Sequence, residues 1–176
     1  MIRMEKQELI DLLKKCEAIQ FGRFVLTSGA VSNYYIDIKK TSTDPNVLKK
    51  IAEAMAEYTE GYDVIAGMEL GAVPLVVALS LETGLPFAII RKEKREHGTG
   101  KQIEGSDIKG KKVLLIEDVT TSGGSVVKSI LIIRENKGIV DEVIAVVDRE
   151  SGAEKKLQNA DVSFIPLLSV SEILKK

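Results

Sequence analysis

The stretch Val113-Leu-Leu-Ile-Glu-Asp-Val-Thr-Thr-Ser-Gly-Gly-Ser125 decides the fold. Val113 to Ile116 make a short apolar run suited to a central parallel strand, and Val126, Val127, Ile130, Leu131 and Ile133 then repeat at helical spacing. Two acids, Glu117 and Asp118, end the strand, so the small-residue loop that follows lies at a strand's carboxyl end. Thr120, Thr121, Ser122 and Ser125 offer hydroxyl donors there, and Gly123 and Gly124 let the backbone curl so that its N–H groups converge at the helix N-terminus. The pattern predicts a phosphate cradle. Neither G-x-x-x-x-G-K-S/T nor G-x-G-x-x-G occurs, which leaves the usual nucleoside triphosphate loop and the dinucleotide fingerprint unsupported. The paired acids point to a sugar phosphate, because carboxylates accept hydrogen bonds from ribose hydroxyls. An ordinary βα loop is also rich in small polar residues; the coincidence of that run with two acids favours a binding site.

Working outward, the regular alternation continues on both sides. Val64-Ile-Ala-Gly67 precedes a helix predicted from about Ala72 to Thr83, Phe87 to Ile90 precedes a charged loop, and the helix after Ser125 is expected to end near Gly138. Val143 to Val147 reads as a further strand and Val162 to Val170 as a last one. Strands spaced by helices indicate parallel βαβ units with ligands beyond the strands' carboxyl ends. The N-terminal part differs. Leu9, Ile10, Leu12, Leu13 and Cys16 share one face of a helix expected over Glu5 to Ile19, and Phe24 to Leu26 and Tyr34 to Asp37 look like short strands around Thr27-Ser28-Gly29, a separate flap. Asp44-Pro45 caps a helix whose apolar stripe runs toward Gly61.

The 176 residues, 44% of them apolar, suffice for one buried core, and a single domain over 1–176 is expected. The 25 basic and 26 acidic side chains nearly cancel, so no global field draws the chain to nucleic acid. No run approaches the ~18 apolar residues of a membrane span, and the charged first residues do not read as a signal core. One cysteine, Cys16, allows no internal disulfide and reads as a small core residue. A soluble, cytoplasmic protein is the expectation.

Three further constellations stand out. Arg91-Lys-Glu-Lys-Arg-Glu-His-Gly-Thr-Gly-Lys101 places five fixed cations and the sole histidine within one segment. Alone it would be a solvated loop; beside a phosphate cradle it can neutralise charge that grows on a polyphosphate leaving group, with His97 a proton donor to it. Gly67-Met-Glu-Leu-Gly-Ala-Val-Pro74 is a second strand-to-helix turn where backbone N–H groups could meet an anion, or simply a helix start. Asp148-Arg149-Glu150 ends a strand, where Arg149 can grip a planar carboxylate at two points or form a capping ion pair. Tyr34 and Tyr35 read as core or subunit-contact residues.

With these pieces in order the chain resembles the type I phosphoribosyltransferases, in particular their orotate-using branch. Val113 to Ser125 is similar to the superfamily's signature for phosphoribosyl pyrophosphate (PRPP); Arg91-Lys92, Arg95 and His97-Gly98 look like the orotate branch's catalytic loop, and Phe24-Val-Leu-Thr-Ser-Gly-Ala-Val-Ser-Asn-Tyr-Tyr35 like its hood motif. The resemblance spans nearly the whole chain. It implies an α/β fold, a parallel sheet flanked by helices, with a small hood contributed by residues 1–40 and joined by the C-terminal tail. It implies a glycosyltransferase of pyrimidine biosynthesis that makes orotidine 5′-monophosphate and pyrophosphate from orotate and PRPP, with Mg²⁺ carried through PRPP and no direct protein ligand. Glu117 and Asp118 would hold the ribose hydroxyls, and Val119, Thr120, Thr121, Ser122, Gly123, Gly124 and Ser125 the 5′-phosphate. Arg91, Lys92, Arg95 and His97 would bind pyrophosphate, Thr121 and Arg149 would contact orotate, and Arg95, His97 and Asp118 would be catalytic. A homodimer is implied, with residues 91–101 acting on the neighbouring site. Three positions depart from the family pattern: Thr27 and Leu70 stand where many members carry lysine, and Arg95 replaces a loop lysine. Three alternatives remain: a purine-type phosphoribosyltransferase, a PRPP-sensing regulator of the same fold and, more weakly, a structural homologue that has lost catalysis. The hood motif and Arg149 speak against the first, and the near-zero net charge against a nucleic-acid-binding form of the second.

Overall fold

The computed structural model describes residues 5–25, 31–93 and 101–175. The chain begins with α1 (Lys6–Lys15), which buries Leu9, Ile10 and Leu13, followed by β1 (Ile19–Val25) and β2 (Val31–Ile36). These two strands pair antiparallel, Ile19 opposite Ile36 and Val25 opposite Val31, in a sheet of their own. Both are longer than their sequence suggested, and the turn at Thr27-Ser28-Gly29 lies outside the described residues. A short α2 (Ile38–Thr41) leads to α3 (Pro45–Ala56), where Asp44 accepts the Asn46 and Val47 N–H groups at 2.9 and 3.2 Å and proline fills the first turn.

The remaining elements are β3 (Val64–Met68), α4 (Val73–Thr83), β4 (Phe87–Ile90), β5 (Ile103–Gly105), β6 (Val113–Thr120), α5 (Gly124–Glu135), β7 (Glu142–Asp148), α6 (Ala153–Gln158), β8 (Ser163–Ser169) and α7 (Val170–Leu174). Six strands form one sheet in the order β5-β4-β3-β6-β7-β8. Five run parallel, and β5 runs antiparallel to β4 at the edge. The expected parallel sheet flanked by helices is present, with one antiparallel edge strand that the sequence did not announce, because β5 is three residues long and carries too little alternation. A correction concerns the end of β6, which continues past the two acids to Thr120, so Val119 and Thr120 are strand residues and the loop begins at Thr121. The helix after it stops at Glu135, short of Gly138. The last strand ends at Ser169, whose hydroxyl and Glu172 form a reciprocal cap that starts α7.

Strand alternation splits the core in two. Val64, Ala66, Val113, Leu115 and Val143 pack with Val126, Ile130 and Ile133 of α5 on one face. Ile65, Leu114, Ile116 and Ile144 pack with residues of α1, α3 and α4 on the other, in a cluster that also takes in Ile19 and Ile36 of the hairpin. Cys16 is half-buried against this second cluster, and desolvation raises its thiol pKa. Among the described residues no helix is long and apolar enough to cross a membrane. Because both faces are sealed, Leu114→Ala and Leu115→Ala should each cost about 2–5 kcal/mol in urea unfolding although they face opposite layers. A sheet covered on one face only would lose stability in just one of the two variants.

Candidate active site

Successive side chains of a strand point to opposite faces. Continued two residues beyond Leu115 and Ile116, that rule turns Glu117 toward the start of α5 and Asp118 toward the turn before α4. The contacts agree. Ser125 in the first turn of α5 donates its hydroxyl to Glu117 Oε2 at 3.2 Å, and a Cβ placed on Gly71 would land on the Asp118 carboxylate. A side chain at position 71 would therefore push the Asp118 carboxylate out of its present place. Glu117 is only 7% exposed, Asp118 is half-buried, and the Asp118 N–H donates to Glu117 Oε1 at 3.1 Å. Burial pushes the Glu117 carboxyl up to about 8, helped by the hydrogen bond and charge of Asp118 and opposed by the Asp118 N–H and the Ser125 hydroxyl. Burial thus favours the protonated form of Glu117 in the ligand-free protein.

Both acids line a cleft of about 310 Å³ at the carboxyl ends of β3 and β6, with Glu69 and Gly71, Ser125, and the cations Lys39 and Lys92. β3 and β6 are adjacent, and the chain runs outward from them in opposite directions, so the cleft sits where the strand order reverses. Beside it, Thr121, Ser122, Gly124 and Ser125 are exposed, and Gly123 takes a left-handed conformation, φ 73°, that delivers the chain into α5. The first-turn N–H groups of α5 have no intrahelical acceptor and face this loop. Thr120 departs from its expected role as a hydroxyl donor to phosphate. Alternation buries its side chain, and its hydroxyl donates to Asp148 Oδ1 at 2.9 Å.

At the end of β7, Asp148 also accepts the Glu150 N–H at 3.1 Å, so it is not paired with Arg149. The Arg149 guanidinium lies over the Tyr34 ring at 5.3 Å, which brings the hairpin against the strand ends. Glu150 accepts the Ser171 N–H and hydroxyl at 2.9 and 3.0 Å, tying α7 to the same turn. Among the described residues, the Nε atoms of Arg149 and Arg91 are buried without a hydrogen-bond partner. Of the cationic segment, Lys92 lines the cleft of its own chain, whereas Arg95 and His97 lie outside the described residues. Lys39 and Glu69 escaped the sequence reading: the first sits in a four-residue helix with no recognisable motif, and the second lies in a turn read for its glycines.

The model of the phosphoribosyl transferase domain matches residues 38–172. Orotate phosphoribosyltransferase of Pyrococcus horikoshii is 53% identical over 174 residues, covering 97% of this chain and 94% of that protein. The chain belongs to the orotate phosphoribosyltransferase family. The crystal structure of the family's Aeropyrum pernix member superposes with a TM-score of 0.86 at 32% identity over 94% of this chain and 96% of that one. The Mycobacterium tuberculosis orotate phosphoribosyltransferase, solved in complex with PRPP, gives a TM-score of 0.80 at 27% identity over 96% and 98%. The matched region contains the cleft, the α5 cradle and the Arg149 turn of this family member.

The held proton has a measurable consequence. An unfolded Glu117 releases its proton near pH 4.3, whereas the folded one holds it to about 8. Over that interval the native state binds the extra proton, so its contribution to stability is complete below the lower value and is lost as pH rises through the higher one. Glu117→Gln should abolish this dependence. Urea unfolding of the ligand-free proteins, from about pH 5 to about pH 9, should show the wild type losing stability relative to the variant as pH rises. Parallel curves would mean that Glu117 is already ionised in the folded site.

Proposed function

We propose that this chain transfers the phosphoribosyl group of PRPP to orotate, giving orotidine 5′-monophosphate and pyrophosphate in pyrimidine nucleotide biosynthesis. The observation that carries the reading is one cleft at the reversal of strand order that joins paired acids to the N-terminus of α5. On this reading, Thr121 to Ser125 hold the 5′-phosphate with first-turn N–H groups and hydroxyls. Val119 and Thr120 contribute through the backbone. Asp118 accepts a ribose hydroxyl, and Glu117, protonated and fixed by Ser125, can both accept and donate beside it. Arg149 is oriented by Tyr34 to meet the orotate carboxylate, with Thr121 nearby.

As the orotate nitrogen bonds to C1 of the ribose, the bond from C1 to pyrophosphate breaks and negative charge grows on the departing oxygens. Lys92 lies in position to meet that charge, and Arg91, Arg95 and His97 complete the set. Positioning and electrostatics do the work; no nucleophile of the protein is needed. Mg²⁺ carried by PRPP suits the cleft without a direct protein ligand, because a carboxylate on its open side, Asp118, can accept hydrogen bonds from the water shell of a hard divalent cation. Arriving with PRPP, the ion would neutralise charge on phosphate oxygens. The whole chain acts as one domain with residues 1–40 as the hood, a reading supported by the single apolar cluster that joins the hairpin to the central sheet. A cytoplasmic setting is consistent with the lone Cys16.

A homodimer belongs to the same proposal, supported by the apolar side chains that the hairpin leaves exposed, Phe21, Val25 and Val31. Lys92 serves its own chain's cleft, which confines any action on the neighbouring site to the rest of residues 91–101.

Purified protein with Mg²⁺ should consume orotate only when PRPP is present and leave adenine and hypoxanthine untouched. Arg149→Ala should raise the KM for orotate about tenfold or more while moving that for PRPP about twofold at most. Turnover of a purine in place of orotate would reassign the base. For the shared site, Arg95→Ala and Asp118→Asn proteins, each inactive, should regain activity when mixed under conditions that allow protomer exchange. Failure to regain it would place each active site within one chain.

A further inference from the structure

Arg91 and Lys92 follow the end of β4, yet all four of their backbone polar groups are engaged. The Arg91 N–H donates to the Gln102 carbonyl at 2.9 Å, and Gln102 Nε2 donates back to the Arg91 carbonyl at 3.1 Å. The Lys92 N–H donates to Glu69 Oε1 at 3.0 Å, and Lys128 Nζ donates to the Lys92 carbonyl at 2.5 Å. Three of the four partners are side chains, and they come from separate parts of the chain: the turn after β3, the segment before β5, and α5. Exposed connecting segments commonly leave such groups to water. Here they are gathered around a residue that lines the cleft.

We propose that Glu69, Gln102 and Lys128 are positioning residues that fix the Lys92 backbone so that its side chain meets the pyrophosphate end of PRPP. Lys128 has particular significance because it stands three residues after Ser125, on the same side of α5. Ser125 fixes Glu117 at one end of that face while Lys128 fixes Lys92 at the other. One rigid helix then sets the distance between the ribose-binding acids, the 5′-phosphate cradle and the pyrophosphate cation. Glu69 acts as a hydrogen-bond acceptor toward a peptide N–H, so its carboxamide analogue should serve almost as well. The inference rests on reading Lys92 as a pyrophosphate ligand.

Calorimetric titration of the full chain with magnesium pyrophosphate and, separately, with ribose 5-phosphate tests it. Lys128→Met and Glu69→Ala should weaken pyrophosphate binding by about 5- to 30-fold, the range for losing one charge-assisted hydrogen bond at a partly exposed site, and leave ribose 5-phosphate within about twofold. Glu69→Gln and Lys128→Arg should restore most of the loss, and thermal unfolding should be nearly unchanged. In a Lys92→Ala background, Lys128→Met should add almost nothing, because a positioning residue has no further effect once the group it positions is gone. Additive losses would show that Lys128 touches pyrophosphate itself and would overturn the proposal. So would equal weakening of ribose 5-phosphate, or a Glu69→Gln protein no better than Glu69→Ala. A wild type that binds ribose 5-phosphate but ignores pyrophosphate overturns the inference together with the reading of Lys92 beneath it, a pattern none of the other outcomes produces.

Discussion

Everything about the site depends on the two-residue period of β6 continuing beyond the sealed part of the sheet. Val113 to Ile116 are 2% exposed or less, and the strand is held on one side by β3 and on the other by β7, so its register is fixed by burial on both faces. The next two side chains inherit that register but not its cover. Glu117 emerges toward α5 and finds Ser125; Asp118 emerges toward α4 and finds the bare backbone of Gly71. A slip of one residue would exchange the two acids and drive a carboxylate into apolar packing, at a cost of several kcal/mol. The precision of the pair is therefore borrowed from the hydrophobic core.

Electrostatics follows from the same placement. Two carboxyl groups this close cannot both ionise cheaply at a partly buried position, and the more deeply buried one keeps its proton. Lys39 and Lys92 share the cleft, but Lys39 Nζ lies 3.5 Å from Asp37 at the rim, which leaves part of its charge already balanced. The turn over the acids adds no further cation, because Leu70 occupies it and is 71% exposed. Among the described residues that line the cleft, Lys92 is thus the cation without an ion-pair partner, and that makes the anchoring of its backbone matter.

The sheet, the α5 cradle and the paired acids were legible in the sequence because each leaves a local trace: an apolar run, a helical repeat, a run of small polar residues. Other parts left none. β5 is too short to alternate, and the 36 positions between Lys92 and Lys128 hide a contact that exists only after the sheet has formed. The hydroxyl of Thr120 looks like its neighbours in the sequence, yet strand geometry aims it at Asp148, a residue 28 positions away. Arg149 stood out in the sequence as a carboxylate-binding candidate or a capping residue, but the ring of Tyr34 beneath it belongs to a separate sheet and could not be paired with it from spacing alone. Sequence patterns report periodicity and chemistry within an element, whereas the site is made of contacts between elements.

The two arginines at the strand ends bring these threads together. Buried polar nitrogens in folded proteins nearly always have a partner, so an unpartnered Nε on Arg149 and another on Arg91 are costly unless a ligand supplies the acceptor. Arg149 follows β7 and Arg91 follows β4, on opposite sides of the β3–β6 pair that carries the cleft. Next to Arg149, Asp148 Oδ1 accepts the Thr120 hydroxyl and the Glu150 N–H, and no ion pair between Asp148 and Arg149 occurs among the described residues. Both arginines are half-buried, with only the Nε atoms sealed from solvent, so each guanidinium can still offer its outer N–H groups to an anion. With the acids between them suited to a neutral diol, the arrangement calls for a ligand whose hydroxyls sit in the middle and whose negative charges lie toward the ends, which is the charge pattern of a phosphorylated pentose joined to a carboxylated base.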